Sequence, residues 1–210
     1  MRGRVSIGLV DYGMGNRRSV EKALARVGAD VVQTSDVETL SRCDGLFVPG
    51  VGAFPAAMQA LHAIDGLVEL LRGAEVPVFG SCLGMQLLFE RSEEHGGDVE
   101  GLGLLPGTVR RLDARGLKLP HIGWNEVRWK QASSPLLAGL PDPSTFYHVH
   151  TYVPHPAPEH VLGESDYGSV FASVVGDGRV FGAQFHPEKS SAHGLALLQN
   201  FVNLCSKVPA

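Results

Sequence analysis

No apolar stretch of these 210 residues approaches the length of a transmembrane helix. No internal repeat, linker or low-complexity tract interrupts them, which leaves solenoid and multidomain readings without support. Basic residues do not exceed acidic ones: 18 stand against 22, a net charge of −4. That balance gives no general pull toward nucleic acid. Cysteine is sparse, limited to Cys43, Cys82 and Cys205. Three cysteines so placed make neither a disulfide framework nor a metal-ligand spacing. Their odd number suits a reducing, cytoplasmic setting and leaves one free for chemistry. The opening "MRGRVSIGLVDYG" has basic residues and a short apolar run, but the run breaks at Asp11 with no small-residue cleavage site. It is expected to be a first strand and not a secretory signal.

What is present fits a soluble globular chain: 44% of residues are hydrophobic and 19% charged. The first half alternates in a β-then-α manner. "VSIGLV", "DVVQT", "GLFVPG" and "VPVFG" are apolar runs bounded by turn formers, and "SVEKALARVG", "AFPAAMQALHAI" and "DGLVELLRG" carry helical spacing between them. Continuous apolar strands alternating with helices predict a parallel sheet covered on both faces. The second half changes character. "GLLPGTVRRL", "WNEVRWK", "TFYHVHTYV" and "SVFASVVGDGRVFGAQF" read as strands, the last a hairpin about Gly176-Asp177-Gly178, before a final helix in "AHGLALLQNFVNLC". One mixed α/β domain over 1–210 is the expectation.

Gly80-Ser81-Cys82-Leu83-Gly84 has the G-x-nucleophile-x-G form of a sharp strand-to-helix turn. Glycine two positions either side of such a turn avoids a Cβ clash with neighbouring strand and helix. The turn puts the sulfur at the positive end of a helix predicted over "LGMQLLFER", which favours a thiolate. A buried structural cysteine beside two loop glycines is the alternative. A nucleophilic thiol needs a base, and the base an orienter. "VFGAQFHPEKS" supplies both: an apolar strand ends at His186, and Glu188 two residues on shares its side if the backbone stays extended. A surface turn with a solvated His and Glu is the competing reading. In "FVPGVGAF", Gly50 and Gly52 flank Val51 at a strand's end, where backbone N–H groups of Val51 or Gly52, with that of Leu83, would form an oxyanion hole. The two glycines also give this loop freedom to rest with its N–H turned away. A phosphate loop is disfavoured because GxGxxG spacing and a P-loop lysine are missing.

"GSCLGMQ", "PGVGAF", "PHIGWN", "FYHVHTY" and "QFHPEKS" together resemble the class I (triad) glutamine amidotransferases, and among them the glutaminase subunits of imidazole glycerol phosphate synthase. The resemblance runs from "DYGMGN" to "AHGLALLQNF". It implies an α/β fold with a flavodoxin-like, mostly parallel central sheet flanked by helices and an additional smaller antiparallel β-sheet. It implies glutamine hydrolysis through a γ-glutamyl thioester on Cys82, with His186 moving protons and Glu188 positioning it. The ammonia would pass to a (β/α)₈-barrel cyclase subunit in a heterodimer. Gln86, Glu94, Thr151 and Tyr152 match glutamine-binding positions, and Trp124, Asn125, Tyr147 and Lys189 match the cyclase interface. Core packing for the two aromatics and a solvated charge for Lys189 are the plainer readings. Two departures stand out: Ser81 replaces a usual apolar residue, and His148 a usual aromatic beside the interface tyrosine.

The resemblance implies no cofactor and no metal. His148, His150 and His155 make a zinc site conceivable, but no cysteine pair or nearby carboxylate completes a set. Between 110 and 130 six basic residues face two acidic ones, a charge for an acidic partner face or simply a solvated surface. Other expectations are a glutaminase feeding a pyridoxal phosphate or anthranilate synthase, which "PHIGWN" and "PGVGAF" oppose, and a non-catalytic regulatory subunit, which the intact Cys82, His186 and Glu188 oppose.

Overall fold

The computed structural model describes residues 3–206. Strands β1 (Ser6–Val10), β2 (Asp30–Thr34), β3 (Gly45–Val48) and β4 (Val78–Ser81) alternate with helices α1 (Arg17–Arg26), α2 (Val37–Ser41), α3 (Phe54–His62) and α4 (Leu67–Arg72). A short helix α5 (Leu83–Leu87) leads into β5 (Phe89–Ser92), β6 (Val99–Glu100), β7 (Leu105–Arg111), β8 (His121–Trp129), β9 (Ser144–His150), β10 (Tyr152–Pro156), β11 (Val161–Asp166), β12 (Val170–Asp177) and β13 (Val180–Ala183). Helix α6 (Ser191–Cys205) follows. Among the described residues no helix is long and apolar enough to cross a membrane.

The large sheet runs β2-β1-β3-β4-β13-β12-β11-β8-β9. Its first five strands pair in parallel and the rest antiparallel. The parallel part has the flavodoxin-like order, with β13 taking the place of the fifth strand. Strands β10-β7-β5-β6 form the smaller sheet, antiparallel at two pairings and parallel at β5–β7.

The apolar runs follow from burial on both faces. Alternate residues of a strand point to opposite sides, so Leu46 and Val48 pack toward α2–α4 while Phe47 packs toward α1 and α6. Phe47 and Phe79 stack at 5.2 Å on that second face, and Phe201 of α6 closes on Phe79 at the same distance. The short helix α2 and the short strands β5 and β6 have no counterpart in the sequence reading. Strand β6 is a two-residue edge strand paired only with nearby β5, and β5 joins β7 through an irregular register, so neither leaves much pattern in the sequence.

A Cβ on Gly84 would collide with the carbonyl of Val48 in β3. That contact lets α5 press against the sheet. Overpacking of this kind commonly costs about 1–3 kcal/mol, and more where backbone must yield. Gly84→Ala is expected to lose at least about 3 kcal/mol in urea unfolding; a loss under about 0.5 kcal/mol would contradict the packing argument.

Candidate active site

Cys82 sits between β4 and α5 with φ 52° and ψ −114°, a positive-φ conformation that side chains resist. Its surroundings impose the turn. The Cys82 N–H donates to the Ala183 carbonyl of β13 at 2.8 Å, and its own carbonyl accepts from Gln86 N at 3.2 Å. At Gly80 a Cβ would lie 2.6 Å from Met85 N and against the Gly84 carbonyl. The G-x-C-x-G spacing is thus a requirement of close backbone approach. The helix behind the sulfur is shorter than its sequence suggests: it ends at Leu87, and "FERS" turns away as β5 to pair with β7. So short a helix sums few peptide dipoles, so the electrostatic partner of the sulfur must come from another element.

That partner is His186. Beyond β13 the chain is held by Gln184 N donating to Ser173 O and His186 N donating to Tyr147 O. His186 and Glu188 meet, with His186 Nδ1 and Glu188 Oε1 3.0 Å apart and both side chains buried. The backbone reason differs from the extended segment expected: Pro187–Lys189 is a 3-10 turn that folds Glu188 back under the imidazole. Ser190 secures this turn, its Oγ donating to His186 O and accepting from Tyr147 N. Burial alone would lower the His186 pKa. Hydrogen bonding and charge from Cys82 and Glu188 outweigh it and raise the group to about 9. Cys82 Sγ also lies 3.6 Å from the Val149 carbonyl oxygen. The other Glu188 oxygen, Oε2, is buried with no partner among the described residues.

Cys82 and His186 open into one cavity of about 310 Å³. Of the residues singled out in the sequence, Val51, Gly52, Leu83, Gln86, Glu94, Thr151, Tyr152 and Lys189 line it with them. Lys189, expected at a partner surface, is exposed and also borders this cavity. Pro120, Val149 and His150 also line it. Sequence reasoning gives none of these three a place in the site, although each lies within a quoted motif. Gln86 commits its amide nitrogen to Tyr152 O and Gln184 Oε1, leaving its oxygen as the group free to accept. Glu94 reaches from the small-sheet side to accept from Phe54 N at 2.6 Å. It thereby holds the first turn of α3, where the Val51–Gly52 loop ends.

The two glycines of that loop have different duties. A Cβ on Gly50 would come within 2.6 Å of Gly84 N and 3.0 Å of the Tyr12 hydroxyl, so Gly50 is pinned by packing. Tyr12 reinforces the pin by donating to Pro49 O at 2.5 Å. Gly52 has φ 113° with only the Met14 side chain close by, and Val51 is exposed. Conformational freedom therefore lies at Gly52 and not at both positions.

Trp124 is 55% exposed on the outer face of β8 and meets half-buried Tyr147 edge-on at 6.0 Å, which removes the core-packing reading for the tryptophan. Asn125 is held apart from them: its amide nitrogen donates to Asp166 O and its amide oxygen accepts from Glu126 N, beside a separate cavity. His148, expected near a partner contact, is fully buried. Phe171 and Phe185 flank it, so it fills an aromatic position by packing. It meets His150 and His121, and burial, the largest cause, holds all three imidazoles below their usual range, His150 at about 3. His155 is exposed and belongs to another cavity.

The family model for glutamine amidotransferase class-I matches residues 8–205. The imidazole glycerol phosphate synthase subunit HisH of Bacillus cereus (strain G9842) is 52% identical over 197 residues, covering 93% of both chains. The protein of the same name from Bacillus anthracis (strain CDC 684 / NRRL 3495) is 49% identical over 198 residues, again 93% of both. Among solved structures, a putative GMP synthase protein from Thermoplasma acidophilum superposes with TM-score 0.74 at 20% identity, covering 98% of this chain and 96% of that one. PurLQS from Thermotoga maritima gives 0.74 at 20%, covering 96% and 99%. At that identity the two structures speak for the fold alone. The family match over nearly the whole length, joined by relatives at half identity, shows that the chain belongs to the class-I glutamine amidotransferase family.

Proposed function

We propose that this chain, acting as one amidotransferase domain, is the glutaminase subunit of an imidazole glycerol phosphate synthase. The reading is carried by the buried His186–Glu188 contact at 3.0 Å opening onto the cavity that holds Cys82, in a chain half-identical to subunits of that name. Cys82 Sγ, its proton already passed to His186, attacks the side-chain amide carbon of glutamine. The developing oxyanion takes hydrogen bonds from Leu83 N–H and from an N–H of the Val51–Gly52 loop. His186, kept protonated by its neighbours, gives its proton to the leaving nitrogen, and ammonia departs as the γ-glutamyl thioester remains. Neutral His186 then removes a proton from water, whose attack on the thioester releases glutamate and restores Cys82. Glu188 holds the ring in register through Nδ1.

Glu94 and the Gln86 oxygen suit the α-ammonium of glutamine, and the Thr151–Tyr152 segment its other end. Ammonia passes to a (β/α)₈-barrel cyclase that docks over Trp124, Tyr147 and Lys189, with Asn125 bracing β8 behind them. The three free cysteines fit a reducing cytoplasm.

Cys82→Ala is expected to abolish glutamine-dependent synthesis by the assembled enzyme and to spare synthesis from added ammonia. Loss of both would point to failed assembly, and retention of both would remove Cys82 from the chemistry. The imidazolium persists below about pH 9 and is lost above it, so kcat/KM for glutamine should fall along an alkaline limb near that pH. Glu188→Gln removes one of the groups that hold the proton and should shift the limb downward. An unmoved limb would show that Glu188 does not act through His186.

With freedom confined to Gly52, the isolated chain should turn glutamine over slowly and gain strongly when the cyclase and its nucleotide ligand bind. Equal turnover with and without the partner would rule out this gating. Trp124→Ala should weaken the heterodimer at least about 10-fold, as read by titration calorimetry; an unchanged affinity would move the interface elsewhere.

A further inference from the structure

The unusual histidine of this chain completes a three-histidine cluster that the triad does not use. His121 and His150 face each other across the β8–β9 ladder, and His148 lies two residues before His150 on the same face of β9. Antiparallel pairing and the two-residue period therefore bring the three rings together. One ring nitrogen from each lies within 4.8 Å of the others, and all three side chains are buried, at 3%, 0% and 6% exposure for His121, His148 and His150. His121 Nδ1 and His148 Nδ1 both converge on His150 Nε2, at 3.2 and 3.3 Å.

Hydrogen bonding alone does not account for this arrangement. A neutral imidazole has one N–H and one lone pair, so His150 Nε2 cannot make a full hydrogen bond to each of two neighbours. His148 Nε2 and His150 Nδ1 are buried with no partner among the described residues. No placement of the three ring protons satisfies both contacts and those two outer nitrogens. A tetrahedral ion with metal–nitrogen bonds of about 2.0–2.1 Å holds its ligands about 3.3–3.4 Å apart, close to the spacing found at both contacts.

We propose that His121, His148 and His150 form a binding site for a late first-row divalent cation such as Zn²⁺ or Co²⁺. Three neutral nitrogen ligands with no thiolate or carboxylate select this class over calcium and magnesium, which take oxygen. His150 also lines the cavity of Cys82 and His186, so a small ligand completing the coordination would reach the cluster from that side. The sequence offers His155 as a third histidine beside His148 and His150; the fold supplies His121 from β8 instead. The site stands on this cluster alone and does not depend on the glutaminase assignment.

The test uses the full chain carrying Cys82→Ala, so that the active-site thiol cannot capture the metal. After equilibration with Co²⁺ or Zn²⁺ and buffer exchange, elemental analysis should find one equivalent bound. The cobalt form should show intense visible bands of four-coordinate nitrogen ligation, without sulfur charge transfer. His148→Phe, which restores an aromatic to an aromatic-walled pocket, and His121→Leu should each weaken binding at least about 100-fold, more than loss of an outer-shell partner does. Circular dichroism melts verify that each variant is folded. Failure of the Cys82→Ala chain to retain metal overturns the proposal without recourse to any further variant. So does undiminished binding by folded His148→Phe.

Discussion

Everything at the cavity depends on one strained turn. Cys82 keeps a backbone conformation that side chains disfavour because β13 takes its N–H and two glycines remove the atoms that would push the turn open. A non-glycine residue in such a conformation costs of order 1–3 kcal/mol, so it persists only where neighbours overdetermine it. Here the hydrogen-bonding strand is also the one that leads to His186. The contact that fixes the nucleophile's backbone therefore also fixes the separation between sulfur and base.

Much of this is legible in the sequence because the signals are local. Apolar runs of four or five residues between turn formers mark β1, β3 and β4, buried on both faces and free of polar alternation. The G-x-C-x-G spacing marks the turn, since its glycines answer to neighbours close in the chain and to the strand beside them. The His186–Glu188 contact is anticipated for a reason the structure replaces: proline after the histidine begins a tight turn instead of extending the strand. Proximity in sequence makes the pairing hard to miss by either route.

The illegible parts are those decided by distant partners. "LGMQLLFER" has helical spacing throughout, yet Phe89 and Arg91 pair with β7 and end the helix at Leu87. Gly50 and Gly52 look equivalent in sequence, but only one lies against α5 and Tyr12. The histidine cluster shows the same limit. His148 and His150 advertise a shared strand face, while the third member lies far back along the chain on β8 and is identified only by the register of β8 on β9.

The placement of the two halves of the site has a further consequence. Sulfur and imidazole issue from adjacent parallel strands at the centre of the large sheet, the kind of buried core element that is costliest to open. Val51 and Gly52 lie at its rim, where local rearrangement is inexpensive. An outside signal can thus retune this enzyme only through the rim, and selection for responsiveness can reshape that loop without eroding the durability of the reacting pair.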